Sequence, residues 1–411
     1  MSKRLLYINT ADGTTLSWQN IRENLSEKNQ YIPTMKYDSY KDVFVHIIQS
    51  LILDLPIVLL DTDLSVSEFK ELQKNEKNEP FFIPEDFTYP ETLKQLVDGI
   101  KHNKVWTISL FTSGTTGKPK KITHTFDSIT KGVKVSEKYK DHIWGWAYNP
   151  THMAGTQVFF QSLLNENTLV QLFGLSKNEI LSTITKYSVS HLSATPTFLR
   201  LFIDSNKTLE SLKSITCGGE KLNPVLLESL KKKAPNAKFR NVYASTEAGS
   251  LFSAEGEYFK VSEKNENKIK FQNEEILLHQ SIVGKSNDLQ IDGDWYRTGD
   301  MVEFSKENPN LFRFVSRKTD IINIGGYNVN PHEVEDVLNR HSGILISRVY
   351  SKKNSVLGRI IIADVVLKKE KINESEIRSY MRNHLQEYKI PRVIKFVEEI
   401  IKTRSGKTLR R

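Results

Sequence analysis

The sequence predicts an α/β protein, with a large N-terminal layered α/β domain that includes a small β-rich subdomain, and a small C-terminal α+β domain. Strand and helix patterns alternate between residues 105 and 245, which is typical of a layered α/β domain. Alternating segments with hairpin-like turns at 268–283 and 294–304 predict the β-rich part. A compact mixture of strands and helices after residue 320 predicts a separate domain.

The large domain begins with mixed helix and strand patterns. The segment VFVHIIQSLILDLPIVLL (43–60) predicts a core helix followed by a buried strand, and the polar, proline-rich FFIPEDFTYPE (81–91) predicts a surface connection. Pro224 falls near the first turn of a predicted helix, where proline is tolerated. Later strands are predicted at 105–111, 142–149, 168–173, 191–197 and 238–245, and helices at 128–139, 155–166, 177–188 and 222–234.

The C-terminal domain is predicted after a boundary at Arg317–Asp320, which divides the chain into 1–316, 317–320 and 321–411. Its elements, in chain order, are a strand at 321–326, a helix at 331–341, strands at 344–353 and 358–369, a helix at 374–386 and a last segment at 390–400.

Composition and charge exclude several classes of protein. Of the 411 residues, 38% are hydrophobic and 26% charged, and a single cysteine excludes a disulfide framework within the chain. No run of about 18 apolar residues occurs, and the N-terminal residues lack the apolar core of a signal peptide. We therefore expect a cytoplasmic protein without a membrane span. The net charge of +9 is spread along the chain with lysines among glutamates, which favours a generally lysine-rich composition over a nucleic-acid binder; a basic enzyme with anionic ligands would have the same composition.

The stretch SGTTGKPKK (113–121) predicts a phosphate-binding loop. It follows an apolar strand, and its glycines allow several backbone N–H groups to point at one anion while hydroxyls and lysines add donors and charge. Its spacing differs from the P-loop GxxxxGK[ST], because two residues separate the glycines and proline follows the lysine. The alternative is a polar surface loop, but the order of strand, loop and residue types favours phosphate.

This stretch resembles the phosphate-binding loop of the adenylate-forming superfamily, the AMP-dependent synthetases and ligases, which includes acyl- and aryl-CoA ligases, luciferases and peptide-synthetase adenylation domains. The resemblance covers about three quarters of the chain, from residue 105 to the end. It implies that ATP activates a carboxylate as an acyl-adenylate with release of pyrophosphate, and that a thiol then takes the acyl group. It also implies ATP contacts from Ser113, Gly114, Thr115, Thr116, Gly117 and Lys118.

The string YASTEAG (243–249) resembles the second signature of the same family. The resemblance implies that Tyr243 stacks on adenine, that Thr246 contacts the α-phosphate and that Glu247 binds Mg²⁺. A hard carboxylate oxygen suits Mg²⁺ that bridges phosphates. The alternative for this string is a capped helix start.

Two more strings resemble nucleotide-binding segments. CGGEKL (217–222) resembles the loop that lines the adenine and acyl pockets, which implies nucleotide contacts from Gly219 and Glu220. WYRTGD (295–300) resembles the third signature and implies that Asp300 accepts hydrogen bonds from both ribose hydroxyls. On its own, the latter string would equally suit an aspartate at a β-turn.

The segment after residue 316 resembles the fourth signature and the family's hinge. The resemblance implies that Arg317 reaches the ribose or a phosphate, and that Thr319 or Asp320 serves as the hinge residue of a mobile C-terminal domain. It also implies that Gly325 and Gly326 let the backbone pass close to the pantetheine of the thiol acceptor.

Near the C-terminus, KTRSGKTLRR contains Lys407, which matches the family's adenylation lysine. The resemblance implies that this ammonium group stabilises charge that develops between the carboxylate and the α-phosphate. The alternative is a frayed basic tail, but the upstream strings occur in the family's order.

The stretch NPTHMAGT resembles the family's acyl-side motif, which implies that His152 is an aromatic gate near the substrate carboxylate; the alternative is a core histidine. An apolar pocket for an aryl or a short-to-medium acyl acid is suggested by Trp146, Met153 and Gly155, with Gly218 and Gly219 opposite and Ala244 at its wall. The stretch offers no aspartate to pair with an α-amine, which disfavours amino-acid substrates.

The resulting hypothesis is an AMP-forming acid–thiol ligase in which Lys407, Thr246, Glu247 and His152 are catalytic. Its cofactors and co-substrates would be ATP, Mg²⁺ and, as the most favoured acceptor, CoA. The phosphopantetheine of an acyl carrier protein and an amine are alternative acceptors. A non-catalytic nucleotide-binding protein with the same fold is the alternative of another class.

Overall fold

The structure is a computed structural model, which describes residues 4–401 except for 11, 63, 75, 77, 113–119, 204, 206, 325–326, 355–357 and 369–371. Within these residues it has 11 α-helices and 24 β-strands. The helices are α1 Trp18–Ser26, α2 Tyr40–Leu53, α3 Val66–Gln73, α4 Leu93–Ile100, α5 Phe126–Thr130, α6 Met153–Leu163, α7 Lys177–Lys186, α8 Pro196–Leu199, α9 Pro224–Lys233, α10 Pro331–Arg340 and α11 Glu374–Arg382.

The strands of the large α/β layer are β1 Leu5–Ile8, β2 Thr15–Ser17, β3 Gln30–Tyr31, β4 Ile57–Val58, β5 Phe81–Phe82, β6 Thr107–Thr112, β7 Lys120–Thr125, β8 Ile143–Trp146, β9 Thr168–Gln171, β10 His191–Ala194, β11 Ser214–Gly218, β12 Lys238–Ser245 and β13 Gly249–Ala254. Those of the β-rich part and the C-terminal domain are β14 Phe259–Lys260, β15 Ile269–Gln272, β16 Glu275–His279, β17 Ile291–Asp292, β18 Trp295–Phe304, β19 Leu311–Arg317, β20 Ile322–Ile324, β21 Tyr327–Val329, β22 Ile344–Asn354, β23 Gly358–Leu367 and β24 Val393–Phe396.

An eight-stranded sheet in the order β13-β12-β11-β10-β8-β9-β1-β2 forms the centre of the large domain. The strands from β12 to β1 are parallel, whereas β2 and β13 pair antiparallel at the two edges. After β8 the chain forms β9 on one side of it and then β10 on the other. In open α/β sheets, ligands bind at the carboxyl ends of strands where the order reverses in this way.

Local sequence signals explain several helices that the patterns predict correctly. α7 begins with a capping box in which Ser176 and Glu179 bond to each other's backbone N–H groups. α9 begins at Pro224, directly after Asn223, whose side chain accepts a hydrogen bond from a backbone N–H in the first turn. The segment 43–60 forms most of α2 and then the buried strand β4, as predicted.

The helix predicted over 128–139 is wrong. α5 ends at Thr130, and only a short 3-10 turn, Glu137–Tyr139, follows. Gly132 and the β-branched Val133 interrupt the segment, and neither residue type favours a helix.

The strand predicted over 191–197 ends earlier, at Ala194. The side chain of Thr195 caps α8, and Pro196 occupies the first turn of that helix. A proline with a fixed φ and no N–H is suited to this position, so it begins a helix instead of extending the strand.

Among the described residues, five smaller sheets hold the remaining strands, and two of them are the two-stranded pairs β3-β5 and β20-β21. β4, β6 and β7 form a sheet in which β6 and β7 pair antiparallel up to Thr112 and Lys120. The loop between them, 113–119, lies outside the described residues. The β-rich part is a six-stranded sheet around β18 and β16, and the C-terminal domain holds β22-β23-β24 beside α10 and α11.

Separate hydrophobic clusters support the layers. Two clusters pack the helices onto the large sheets, and one lies under the β-rich sheet. A fourth has all its members between Ile322 and Ile394, in the C-terminal domain. Among the described helices, none combines the length and the apolar character that crossing a bilayer requires.

Candidate functional site

A cavity of about 390 Å³ runs from the carboxyl ends of β8, β10, β11 and β12 along one face of the central sheet. Its other wall comes from α6 and from the segment that follows α5. Six residues that the sequence analysis assigned to the acyl, phosphate or nucleotide contacts line it: His152, Met153, Gly218, Gly219, Ala244 and Thr246. The topology therefore brings together residues from three separate strings of the sequence.

Trp146 lies elsewhere. It is fully buried in the aromatic core, edge-on to Tyr7 and Phe44, and its indole N–H donates to the carbonyl of Gly155 over 2.9 Å. The position in the cavity wall that we expected for Trp146 belongs to Trp144, on the same strand.

The floor of the cavity is more polar than the sequence suggests. Ser193, Thr216 and Arg240 are neighbours in register on β10, β11 and β12, and all three line the cavity. Side chains at paired positions of adjacent strands project from the same face of the sheet. Apolar residues such as Met153 and Val158 form part of the opposite wall, so the cavity combines an apolar wall with a polar floor.

His152 directly precedes α6 and is held by Asp61, which follows β4. The imidazole Nε2 lies 3.0 and 3.2 Å from the two carboxylate oxygens of Asp61. Asn149 Nδ2 donates to the same carboxylate over 2.9 Å, and the hydroxyl of Thr151 donates as well. Burial alone would raise the pKa of Asp61. The hydrogen bonds from His152 and the other donors lower it by a larger amount, so the pKa of Asp61 lies below its ordinary value.

A close backbone approach supports this turn. A Cβ atom at Gly155 would lie 2.1 Å from the carbonyl oxygen of Asn149, so only glycine fits there without a shift of the backbone. The tight turn places Asn149 and His152 together at the cavity.

His124 of β7 is hydrogen-bonded to the backbone of the turn at Thr246–Glu247. His124 Nε2 donates to the carbonyl of Thr246 over 2.8 Å, and the hydroxyl of Ser128 lies 3.0 Å from Nδ1. Burial lowers the pKa of His124, which favours the neutral imidazole. The backbone of Gly284 donates to the carbonyl of Glu247 over 2.6 Å.

Gly284 is also a position of close approach. An added Cβ would lie 2.6 Å from Cε1 of His124, so the β-rich part can approach β7 only through glycine here. Thr123 and Lys285 exchange backbone hydrogen bonds of 2.9 Å in both directions beside it. The strand β7, which follows the predicted phosphate-binding loop, is thus joined at one point to the Thr246–Glu247 turn and to the β-rich part.

The carboxylate of Glu247 fits the requirements of a single Mg²⁺ ligand. One of its oxygens accepts a hydrogen bond of 3.3 Å from the hydroxyl of Tyr296, which orients the group. Mg²⁺ in nucleotide sites is usually held by one or two carboxylates together with substrate phosphates and water.

Asp300 connects two more of the predicted nucleotide contacts. Its buried carboxylate accepts from Nε of Arg317 over 2.8 Å and from the hydroxyl of Tyr243. The negative charge of Asp300 raises the pKa of Arg317. The pKa of Tyr243 is also raised, mainly because the side chain is buried and also because Asp300 is charged. A carboxylate has about four acceptor sites, so two remain for a vicinal diol.

The strand that carries Asp300 is fixed by Glu275. The backbone N–H of Gly299 donates to Glu275 Oε1 over 3.0 Å, and Nη2 of Arg297 donates to Oε2 over 2.5 Å. Gly299 has a φ of 72°, a value that favours glycine, and this sharp turn aims the next residue inward.

The remaining predicted residues lie around this site or outside the described part. Glu220 Oε2 accepts a hydrogen bond of 3.0 Å from the backbone of Thr197 at the start of α8. Thr319 and Asp320 form part of a 3-10 turn directly after Arg317. The phosphate-loop residues Ser113, Gly114, Thr115, Thr116, Gly117 and Lys118, the pair Gly325 and Gly326, and Lys407 lie outside the described residues.

Sequence reasoning missed three supporting residues. Asp61 lies in a part of the chain without a recognisable string, and Glu275 lies in an ordinary strand pattern. His124 closely follows the predicted phosphate-binding loop, but its role depends on a partner 122 positions away. Only the position of His124, on the strand that leaves the loop, was a usable signal.

Comparison with protein families gives two matches. Residues 51–271 match the family described as AMP-binding enzyme, and residues 333–407 match the family described as AMP-binding enzyme C-terminal domain. The first match alone covers more than half of the 411 residues.

Individual relatives agree with the family matches. The mitochondrial acyl-coenzyme A synthetase ACSM3 of Rattus norvegicus is 29% identical over 362 residues, and 4-hydroxybutyrate–CoA ligase 1 of Metallosphaera sedula is 30% identical over 351. The alignments cover 75% and 74% of this chain, but the chain spans only 60% and 61% of the length of these relatives.

Solved structures show the same fold. The o-succinylbenzoate coenzyme A synthetase MenE of Bacillus subtilis, in complex with ATP and magnesium ion, superposes with a TM-score of 0.70 at 21% identity. The superposition covers 99% of this chain and 96% of MenE. The α/β fold with a large N-terminal and a smaller C-terminal domain is thereby confirmed.

Proposed function

The chain belongs to the AMP-binding enzyme family, and from this we propose that it activates a carboxylic acid with ATP and transfers the acyl group to the thiol of CoA. In the first step, a carboxylate oxygen attacks the α-phosphorus, and pyrophosphate leaves. In the second step, the thiol loses its proton to water, its sulfur attacks the acyl carbon, and AMP leaves.

One observation carries the proposal: the cavity that begins beside His152 reaches Gly218, Gly219 and the Thr246 turn at the carboxyl edge of one sheet. An acid in this cavity would therefore present its carboxylate next to the residues proposed to bind the α-phosphate. The names of the relatives, which include acyl-coenzyme A synthetases and CoA ligases, support the same reaction.

The nucleotide would bind across the neighbouring cluster. We propose that Tyr243 contacts adenine, together with Gly219 and Glu220, while Asp300 and Arg317 hold the ribose. The buried Asp300 carboxylate is already oriented by two donors, so less side-chain entropy is lost when a diol binds. The loop 113–118 would hold the phosphates.

Thr246 and Glu247 would act at the reacting phosphate. Thr246 would donate its hydroxyl to an α-phosphate oxygen, and Glu247 would hold Mg²⁺. Mg²⁺, when bound, neutralises part of the charge on the phosphate oxygens. The ammonium of Lys407 would stabilise the charge that develops as the carboxylate attacks.

The second step would use the C-terminal domain, residues 321–411. We propose that rotation about 317–320 withdraws Lys407 and brings the backbone at Gly325 and Gly326 to the thiol, a hinge motion that a few residues can absorb. We also propose a cytoplasmic location, which the single cysteine of the chain supports.

The direct test is pyrophosphate release from ATP with a panel of acids. The panel should contain aryl, short and medium alkyl and dicarboxylic acids, because the cavity combines apolar walls with the polar floor at Ser193, Thr216 and Arg240. We expect release with at least one acid, and thioester formation when CoA is added. If acyl transfer occurred only to a carrier protein or an amine, the acceptor would not be CoA. Nucleotide binding without pyrophosphate release would favour a non-catalytic protein.

Lys407→Ala separates the two steps. We expect this variant to form acyl-adenylate about 10²- to 10³-fold more slowly, the size typical of losing one stabilising group. Thioester formation from preformed acyl-adenylate should remain. Equal losses in both steps would contradict the proposed alternation of the C-terminal domain.

A further inference from the structure

Asp61 forms a pair with His152, and the proposed reaction assigns no role to Asp61. Asp61 is 14% exposed and His152 is 21% exposed, so both side chains are largely removed from water. The two residues are 91 positions apart and come from different sheets, since Asp61 follows β4 and His152 follows β8. The contact therefore depends on the tertiary fold.

The geometry determines which imidazole nitrogen carries hydrogen. An ionised carboxylate only accepts hydrogen bonds, and Nε2 lies within 3.2 Å of both Asp61 oxygens. Nε2 must therefore be the donor, and in the neutral imidazole Nδ1 is then an acceptor. His152 itself lines the cavity, so the orientation of this ring shapes the acid-binding wall.

Asp61 is well suited to hold the ring in one place. Asn149 and Thr151 also donate to it, so three donors from one short turn converge on one carboxylate. A carboxylate that accepts three hydrogen bonds keeps its position without a ligand, even when one of its partner side chains rotates away. A bond to an ionised acceptor is also stronger than a neutral one.

We propose that Asp61 is a positioning residue that holds the His152 imidazole, with Nε2 protonated, against the acid-binding cavity and thereby determines the affinity for the carboxylic acid. This inference rests on the proposed function. It assigns a role to a residue from the first hundred positions, and Asp61 acts only through His152.

The competing explanation is that Asp61 merely stabilises the turn at 149–152. Thr151 provides the matched control, because its hydroxyl bonds to Asp61 but its side chain does not contribute to the cavity lining. Thr151→Val removes that bond, and the bond of the same hydroxyl to Asn149 Oδ1 within the turn, while leaving the Asp61–His152 pair in place.

The kinetic test compares D61N, T151V, H152A and D61N/H152A by pyrophosphate release. We expect D61N to raise KM for the acid about 10- to 100-fold, the size expected for a bond to a charged group, with KM for ATP little changed. T151V should keep the KM of the wild type. Because Asp61 acts through His152, D61N should have no further effect in the H152A background. Additive effects, or equal changes in both KM values, would overturn the inference.

A second measurement does not depend on activity. Nitrogen-15 NMR of the imidazoles, with His152 identified by its loss in H152A, reports the tautomer directly among the ten histidines. We expect the Nε2–H form in the wild type and T151V, and a shift towards the other form in D61N.

If no acid supports pyrophosphate release, the proposed function fails, whereas an Nδ1–H tautomer in the wild type would reject the Asp61 inference. Asp61→Glu, which keeps the charge, replaces D61N if the latter does not fold.

Discussion

Arg317 and Asp300 face each other as a registered pair on β19 and β18, and Nε of Arg317 donates to Oδ1 of Asp300 over 2.8 Å. The hydroxyl of Tyr243 donates to the second carboxylate oxygen. Asp300 is 3% exposed, whereas the side chain of Arg317 is 47% exposed. The pair thus links the buried contact between Tyr243 and Asp300 to the connection at 317–320.

Asp300→Asn should weaken nucleotide binding. The substitution removes the charge that orients Arg317 and Tyr243. It also replaces one acceptor oxygen with an NH₂ group, to which a ribose hydroxyl can no longer donate a hydrogen bond. We expect KM for ATP to rise about 10- to 100-fold, with KM for the acid little changed. Pyrophosphate release at varied ATP measures the effect.

The same two strands offer a matched control. Glu303 and Arg313 also form a registered ion pair on β18 and β19, with a distance of 2.7 Å, but their side chains are 50% and 34% exposed. Glu303→Gln should leave KM for ATP unchanged. If both variants changed it equally, sheet stability and not nucleotide contact would be the cause.

His124→Leu should impair the Thr246–Glu247 turn. The variant removes the N–H that bonds to the Thr246 carbonyl and leaves a part-buried acceptor without its donor. We expect about a tenfold rise in the Mg²⁺ concentration needed for half-maximal pyrophosphate release. His124→Gln keeps an N–H donor and should recover part of the loss, which a general packing effect would not explain.

Ser128→Ala tests the same chain of bonds from the other side. Without the hydroxyl at Nδ1, the imidazole can adopt its other tautomer, so a smaller change in the same direction is expected. An unchanged Mg²⁺ requirement in His124→Leu would show that the turn holds its position without this bond.

The nucleotide strings and the supporting residues differ in how far sequence can predict them. YASTEAG and WYRTGD are local strings, so Tyr243, Glu247 and Asp300 were recognisable, and the structure brings them together. Asp61 supports a partner 91 positions away, and only the order of the strands brings the two into contact. Trp144 and Trp146 share one strand, and a pattern of two tryptophans does not indicate which one reaches the cavity.

The fold shows a similar division. Helices with caps, such as α7 and α9, were predictable because their signals lie within a few residues. The segment 128–139 is predicted as one helix, but Gly132 lowers its helix propensity, and the chain forms only the end of α5 and a separate 3-10 turn there. The polar floor at Arg240 follows from the pairing of β11 and β12, which no local string encodes.

The contact between Lys221 and Asp336 should hold the C-terminal domain against the large one. Lys221 Nζ lies 2.6 Å from Asp336 Oδ2, and Nδ2 of Asn223 donates to Oδ1 over 3.2 Å. We expect Asp336→Asn to accelerate limited proteolysis at 317–320 about fivefold, as a loss of about 1 kcal/mol would produce. The charge-swapped pair K221D/D336K should restore part of the protection.

An ion pair inside the C-terminal domain is the control for this experiment. Lys389 Nζ lies 2.7 Å from Glu333 Oε1, and both residues belong to that domain. Glu333→Gln should therefore leave the cleavage rate at the connection unchanged. Equal acceleration in both variants would indicate unfolding of the C-terminal domain and not its release.

His46 should make the large domain sensitive to acid. It is buried in α2, where the hydroxyl of Tyr37 lies 2.8 Å from Nδ1 and Nε2 donates to the carbonyl of Ile32 over 2.9 Å. Burial lowers the pKa of His46 to about 3, and the charge of Lys28 contributes in the same direction. Between pH 6.5 and 3 the unfolded chain therefore binds the proton and the folded chain does not.

The sign of the effect follows from this difference. The stability that comes from neutral His46 is fully present above the unfolded pKa of about 6.5 and is lost as pH falls towards 3, by up to about 1.4 kcal/mol per pH unit. Urea unfolding at pH 7, 6 and 5 measures this effect. We expect His46→Gln to be less stable than the wild type at pH 7. As the pH falls, however, its free energy of unfolding should decrease less than that of the wild type. His102→Gln, at an exposed position, should keep the wild-type slope. Parallel slopes in the wild type and His46→Gln would mean that the buried imidazole accepts a proton without unfolding.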